Sequence, residues 1–221
     1  MDDTVDKTLM IQFSMEGPVC YLSQRETLTM WGRCLARVGV NMSFSQGFNP
    51  HPKISLPLPR SVGVEGDEEL LRVGLSDDAD LAEDVPYQLN QQLPQGCRVR
   101  KTERFDKKIG CQPVSILYVL SPWPRWWQNG LSQRLAQCRT TIQSTESYVV
   151  FRRGPKHKTG RKVDIGAYFQ SLEWSDGKIY VRCRFTPEGT VRTEEVLGRL
   201  GLERGDLVRP VLRTKIEWRM Q

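Results

Sequence analysis

Histidine and closely paired cysteine, the side chains that build most protein metal centres, are scarce in this sequence. The chain has two histidines, His51 and His157, and six cysteines that are scattered without a single Cys-x-x-Cys pair. Structural zinc sites need ligands paired at short spacing. We therefore expect reduced and mostly buried thiols, no bound metal, and no other cofactor held by this chain.

Long apolar runs are missing as well. No stretch approaches the ~20 apolar residues that a membrane-spanning helix requires. The acidic start, MDDTVDKTLM, has neither the basic nor the apolar region of a secretory signal. These two features predict a cytoplasmic protein without a membrane partner.

Acidic residues are sparse in the second half of the chain. Residues 1–110 hold 13 Lys and Arg against 16 Asp and Glu, a net charge of −3, whereas residues 111–221 hold 19 against 10, a net charge of +9. Such asymmetry indicates that one half faces a polyanion. A basic surface that serves only solubility would give the same count.

Hydrophobic periodicity predicts an α+β fold. In the first half, Ser23 and Glu26 have the spacing of a capping box at a helix start, and Gly39 stands where a helix would end. The predicted order is βαββαβ, the ferredoxin-like plan. Its elements are strands at 9–15, 40–45, 54–58, 69–75 and 99–105, with helices at 24–38 and between 80 and 93, the latter with Pro86 in its first turn.

The second half repeats this order less clearly. Its predicted elements are strands at 114–120, 148–151, 179–185 and 208–218, with helices that begin near 121 and cover 164–172 and 193–200. The sequence thus predicts two consecutive ferredoxin-like (βαββαβ) units with antiparallel sheets. We place the first unit at residues 1–108 and the second, basic unit at residues 109–221.

The connection after the first helix carries an unusual segment, GFNPHPKIS, at residues 47–55. With Tyr21-Leu22-Ser23 before it and Gly63-Val64-Glu65 after it, the segment resembles the bacterial radical SAM-linked protein family. That is a domain-of-unknown-function family, found alone or fused behind cobalamin-binding radical SAM enzymes. The resemblance covers residues 9–75 and implies a radical SAM enzyme as a partner, but no reaction.

The chain departs from that family directly after Ser23. Members tend to have His, Leu and Asp there, and this chain has Gln24, Arg25 and Glu26. A histidine with possible chemistry is therefore absent. The chain also lacks the cysteine triad of radical SAM enzymes, a P-loop and a dinucleotide fingerprint, so any radical chemistry must belong to the partner.

Three residues of the GFNPHPK segment are candidate RNA contacts: Asn49, His51 and Lys53. Pro52 restricts the backbone of His51 to extended conformations, which suits a rigid loop that presents a side chain. One interpretation is a shaped turn in which the imidazole bonds only the backbone. The others are a ligand contact, or general acid–base catalysis of metal-independent RNA cleavage.

The segment 152–162 is the most basic in the chain and contains no acid. We predict a loop that adapts to phosphates, because Lys and Arg contacts to phosphate supply most non-specific nucleic-acid affinity. A solvated hairpin tip is the alternative. The candidate RNA-binding residues are Arg152, Arg153, Lys156, Lys158, Arg161 and Lys162.

Asp164 and the tryptophans allow two interpretations each. The segment around Asp164 faintly resembles the catalytic aspartate segment of pseudouridine synthases, but an N-cap of a helix at 165–172 would equally explain an aspartate here. Trp123 and Trp126 are candidates for a base-stacking platform, whereas we expect Trp127 to pack in the core.

These observations favour an RNA-binding module that presents an RNA substrate to a separate radical SAM enzyme. The first alternative is an RNA-acting enzyme in its own right, either a metal-independent nuclease or a base-modifying enzyme, centred on His51 or Asp164. The second is a protein–protein adaptor without RNA contact.

Overall fold

The computed structural model of the protein describes residues 7–76, 83–154, 157–186 and 189–221, with the backbone alone for 153, 154 and 157–159. The chain forms two compact units. The first comprises Met1–Pro113 with Trp218–Gln221, and the second comprises Val114–Glu217. Both combine helices with a mostly antiparallel sheet, so the predicted α+β class is confirmed.

In the first unit, antiparallel strands carry two helices. The strands are ordered β4-β1-β3, and the short β2 pairs with the outer side of β3. Alternate residues of the central strand, such as Leu9, Ile11 and Phe13, are buried against the helices. The elements are β1 (Lys7–Met15), α1 (Gln24–Arg37), β2 (Ile54–Ser55), β3 (Val64–Leu75), α2 (Val85–Gln92) and β4 (Cys97–Phe105).

The predicted strand at 40–45 does not form. Only isolated bridges occur there, Met42 with Leu75 and Phe44 with Pro52. The Ser43 N–H donates to the Gly74 carbonyl, and the Ser43 carbonyl accepts from the Lys53 N–H. The segment is therefore fixed between β3 and the GFNPHPK segment, and it cannot pair continuously with either.

In the second unit, the main sheet is ordered β10-β5-β9-β8, and β6 and β7 form a separate two-stranded sheet. The described pairs are antiparallel. The elements are β5 (Cys111–Leu120), α3 (Pro124–Gln128), α4 (Leu131–Gln143), β6 (Val149–Gly154), β7 (His157–Asp164), β8 (Phe169–Ser175), β9 (Lys178–Arg184), α5 (Thr193–Arg199) and β10 (Val211–Met220).

Two predictions for the second half were wrong. The basic segment 152–162 is not a loop: its described residues lie on the antiparallel strands β6 and β7. The predicted helix at 164–172 is a single 3-10 turn, Gly166–Tyr168, followed by β8. Pairing with β9, from Phe169 opposite Cys183 to Ser175 opposite Lys178, fixes this segment as a strand and overrides its weak helical pattern.

Candidate functional site

An open groove of about 830 Å³ lies in the first unit, between one face of α1 and the end of the GFNPHPK segment. Its apolar lining comes from Leu28, Pro52 and Ile54. Its polar lining includes Arg25, Thr29, Arg33 and His51. Within the described part of the chain, the groove lining contains two arginines and a histidine but no carboxylate. Its chemistry therefore suits an anion with an apolar portion.

The helix α1 exposes this face because its other side packs in the hydrophobic core. Trp31 and Leu35 are completely buried there. The start of the helix is fixed by the predicted capping box: the Glu26 N–H donates to Ser23 Oγ at 3.3 Å, and the Ser23 N–H donates to Glu26 Oε2 at 2.8 Å. Hydrogen bonds that the Glu26 carboxylate accepts from the side chain and the backbone N–H of Ser23 lower its pKa. The carboxylate is thus held in its charged form at the helix start.

Two hydrogen bonds between Ser45 and the backbone of His51 close the GFNPHPK segment into a fixed loop. The His51 N–H donates to Ser45 Oγ at 3.0 Å, and the Ser45 N–H donates to the His51 carbonyl at 2.8 Å. Gly47 adopts a φ of +138°, where a side chain would be strained. Next to it, Phe48 is fully exposed. The loop therefore presents an aromatic ring to solvent at its tip and an imidazole to the groove at its base.

The three predicted residues of this segment have different positions. His51 is exposed and lines the groove. Asn49 is exposed on the loop, and Lys53 is exposed on the segment that leads to β2, but neither is part of the groove lining. The structure thus brings His51 together with two arginines of α1 that the sequence had not singled out.

The six predicted basic residues of the segment 152–162 also differ in their positions. Arg152 is engaged inside the unit: it forms a two-bonded ion pair with Glu195 and donates to the Thr190 carbonyl. Arg161 and Lys162 are exposed on β7. Lys156 lies outside the described residues, as do the side chains of Arg153 and Lys158.

Asp164 closes the end of the hairpin formed by β6 and β7. Its Oδ1 accepts hydrogen bonds of 2.9 Å from the N–H groups of Tyr148 and Gly166. The bond from Gly166 is the main cause of a lowered pKa at Asp164, and bonds from Ser147 and Tyr148 add to it. The predicted N-cap of a helix at 165–172 was wrong, because that helix does not exist. The carboxylate caps a turn between two strands.

The tryptophans do not form one platform. Trp123 is 42% exposed. Trp126 is half-buried, with the guanidinium of Arg134 5.5 Å from its ring centre and its indole nitrogen buried without a hydrogen-bond partner. Trp127 is also half-buried. Only Trp123 offers a large exposed surface among these three rings.

Sequence reasoning missed one residue that positions the groove. The guanidinium of Arg60 donates to the carbonyls of Cys20, Leu22 and Val64. It thereby fixes the segment that leads into α1, and with it the start of the groove. A lone arginine in the proline-rich segment 57–64 was the only available signal, and nothing in its spacing indicated three backbone acceptors.

The cysteines are free thiols, four of them buried and two half-buried. Burial raises the pKa of Cys97 to about 12 and also raises that of Cys183. Among the described residues, no three His, Cys, Asp or Glu side chains are grouped so that they could hold a metal ion. Over the same ranges, none of the helices has the length and apolar character needed to cross a membrane.

Comparison with known proteins places the chain in a family. Residues 8–210 match the family described as "Uncharacterized protein conserved in bacteria (DUF2344)". The chain belongs to this family. No curated protein matches it.

Likeness to solved structures is weak. An unknown protein from Galdieria sulphuraria is 12% identical, with 98% of both chains covered and a TM-score of 0.29. The regulatory subunit of aspartate kinase from Thermus thermophilus is 9% identical, with 82% of this chain and 85% of that chain covered and a TM-score of 0.21. A putative glycine cleavage system transcriptional repressor is 8% identical, with 98% of both chains covered and a TM-score of 0.25.

Proposed function

We propose that this member of the family is an RNA-binding module that presents RNA to a separate radical SAM enzyme. One observation carries the RNA part: the groove of the first unit combines Arg25, Arg33 and His51 with apolar walls and lacks a carboxylate in its described lining. The exposed ring of Phe48 lies on the loop that forms one wall. A basic groove beside an exposed aromatic ring is how proteins hold single-stranded nucleic acid.

The two arginines are spaced for separate phosphates. They lie eight residues apart on α1, which is about 12 Å along a helix with a rise of 1.5 Å per residue. Each guanidinium offers a planar set of donors that fits a phosphate with two hydrogen bonds. Leu28 and Ile54 lie in the same groove and would contact the apolar faces of a sugar or base.

We also propose that both units follow the ferredoxin-like plan. The strand order β4-β1-β3-β2 in the first unit corresponds to β10-β5-β9-β8 in the second, if the hairpin of β6 and β7 is regarded as an insertion after α4. That correspondence supports the duplication. The radical SAM partner rests on the resemblance of the GFNPHPKIS segment alone.

The enzyme alternative has less support. General acid–base cleavage of RNA uses two groups within hydrogen-bond reach of the reacting atoms. The described groove lining holds one histidine, His51, and no carboxylate, lysine or tyrosine that could act with it. Asp164 accepts hydrogen bonds from two backbone N–H groups at a turn, and this structural role explains an aspartate at this position without catalysis. The adaptor alternative predicts that the chain binds a partner protein with an affinity that depends little on salt concentration.

The test is a salt titration of binding to a short fluorescein-labelled single-stranded RNA. The wild-type protein should bind with an affinity that falls steeply as salt rises. Arg25→Gln and Arg33→Gln should each weaken binding and reduce the slope of log affinity against log salt by about 0.7, the value for one contact to a single strand. Arg98→Gln is the matched control, because Arg98 is exposed on β4, away from the groove lining. No RNA binding by the wild-type chain, or equal effects of all three changes, would refute the groove as an RNA site. If the two groove variants weaken binding and the control does not, crosslinking and sequencing of co-purified RNA would identify the substrate.

A further inference from the structure

The hairpin of β6 and β7 has two faces of opposite character. Directly opposed residues of an antiparallel pair share a face, and here Arg152 opposes Arg161 while Phe151 opposes Lys162. The face of Arg152 is the internal one, since this arginine is bonded to Glu195. The chain thus directs an arginine inward and a phenylalanine outward, the reverse of the usual arrangement on a half-buried strand.

The outward face is apolar at its centre and basic beside it. Phe151 is 57% exposed and Val149, two residues before it, is 53% exposed. Lys162 is exposed directly across from the phenylalanine. We call this set, with Gly160 and Asp164, the Phe151 face.

Gly160 lies directly beside the ring of Phe151. A Cβ atom at Gly160 would lie 2.4 Å from the ring, closer than any real contact. The glycine also has a φ of +73°, a conformation that side chains disfavour. The absence of a side chain at Gly160 therefore leaves room for the ring, and more than half of Phe151 stays exposed to solvent.

We propose that the Phe151 face stacks an unpaired base of single-stranded RNA, with Lys162 contacting the adjacent phosphate. This inference rests on the proposed RNA-binding function and specifies its substrate as single-stranded. An open aromatic surface on a sheet is the platform on which RNA-binding domains stack bases. A base within a duplex is already stacked on its neighbours and cannot reach such a ring.

Charge complementarity favours a nucleic acid over a protein as the occupant. Lys162, an exposed basic residue of β7, lies directly opposite the ring on the same face. Asp164 is the one acid on the Phe151 face among the described residues, and its Oδ1 is already engaged by two backbone N–H groups. An aromatic ring with an adjacent cation matches the base and the phosphate of one nucleotide.

The test compares Phe151→Ala with Phe151→Trp, using fluorescein-labelled oligouridine alone and annealed to oligoadenosine. Base–aromatic stacking contributes about 1–3 kcal/mol, so the alanine variant should bind the single strand about 5- to 150-fold more weakly. The tryptophan variant should retain affinity, and its fluorescence should be quenched by the oligonucleotide. Binding of the duplex should be the same for both. Tyr87→Ala, which removes an exposed aromatic ring from α2, is the matched control.

Each outcome separates this inference from the function on which it rests. If the wild type binds no RNA, the proposed function fails. If it binds RNA and Phe151→Ala binds equally well, the function stands and the stacking role is refuted. Equal losses on single strand and duplex would also refute stacking. If Phe151→Ala instead loses a radical SAM partner while RNA binding is unchanged, the face is a protein-docking surface.

Discussion

Arg152 and Glu195 are joined by two hydrogen bonds of 2.7 Å, from Nε to Oε1 and from Nη2 to Oε2, and their side chains are only 12% and 11% exposed. Glu195 also accepts a bond from the Arg192 N–H at the start of α5. This ion pair therefore connects the strand β6 to the beginning of a helix. It gives the most basic segment of the chain an internal structural role.

Removing one partner of this pair should destabilise the protein. Arg152→Ala leaves Glu195 charged and nearly buried, and losses of this kind cost about 2–5 kcal/mol. Chemical denaturation should show that decrease in the free energy of unfolding. Arg161→Gln is the matched control, because Arg161 lies directly opposite Arg152 and is exposed. It should leave stability unchanged or slightly increased, since like charges directly opposite repel. If Arg152→Ala is as stable as the wild type but binds RNA more weakly, Arg152 contacts RNA, as the sequence predicted.

His51→Ala separates the binding module from its enzyme alternative. The change deletes the imidazole and retains Pro50 and Pro52. The hydrogen bonds between Ser45 and the backbone of His51 need no side chain at position 51. We expect RNA binding to weaken by about 1–2 kcal/mol, the scale of a lost hydrogen bond. Catalysis by this histidine would give a different result: an RNA-cleaving or RNA-modifying activity that falls by about 10²–10⁴ with affinity nearly intact.

Asp164 should make stability depend on pH in the acidic range. Its pKa is lowered below the ordinary value of 3.8 by hydrogen bonds to the charged form. A group with a lowered folded-state pKa contributes stability above its unfolded-state pKa and loses it as pH falls through the folded-state value. The wild type should therefore lose more stability than Asp164→Asn on acidification below about pH 5. Unfolding curves at several pH values measure this, and parallel pH profiles would contradict it. Asparagine keeps an oxygen acceptor, so loss of an RNA-modifying activity in this variant would support the enzyme alternative.

The sequence predicted those parts of the fold that local patterns determine. The capping box of Ser23 and Glu26 and the φ of +74° at Gly39 start and end α1 as expected. The groove could be predicted only in part, because it depends on long-range contacts. The prolines on either side of His51 identified it as a candidate from the sequence. Arg25 and Arg33 could not be identified in this way, because they belong to the site only through the packing of α1 beside residues 51–54.

The hairpin was predicted only in part, for a related reason. A strand at 148–151 was expected, but its continuation to Gly154 and its partner β7 were not. The partner strand contains few of the large apolar residues that indicate a half-buried strand. Arg152 was assigned to the phosphate-binding set because the chain gives no local sign that Glu195, far along the sequence, would bind it. Phe151 received no role, since one aromatic residue in a predicted strand ordinarily belongs to the core.

Gly32 offers the cleanest test of whether the groove is the binding site. It lies inside α1, where glycine is less favourable than alanine by about 1 kcal/mol. A Cβ atom there would meet Ile54 Cδ1 at 3.5 Å and Pro52 Cγ at 4.0 Å, which are ordinary contacts. Gly32→Ala should therefore raise the free energy of unfolding by up to about 1 kcal/mol with RNA affinity little changed. Gly32→Leu keeps a good helix former but extends toward the groove, so its RNA affinity should fall while the protein stays folded. Unfolding and RNA-binding titrations on the two variants make the comparison. If the leucine variant folds and binds RNA like the wild type, the RNA site must lie elsewhere on the chain.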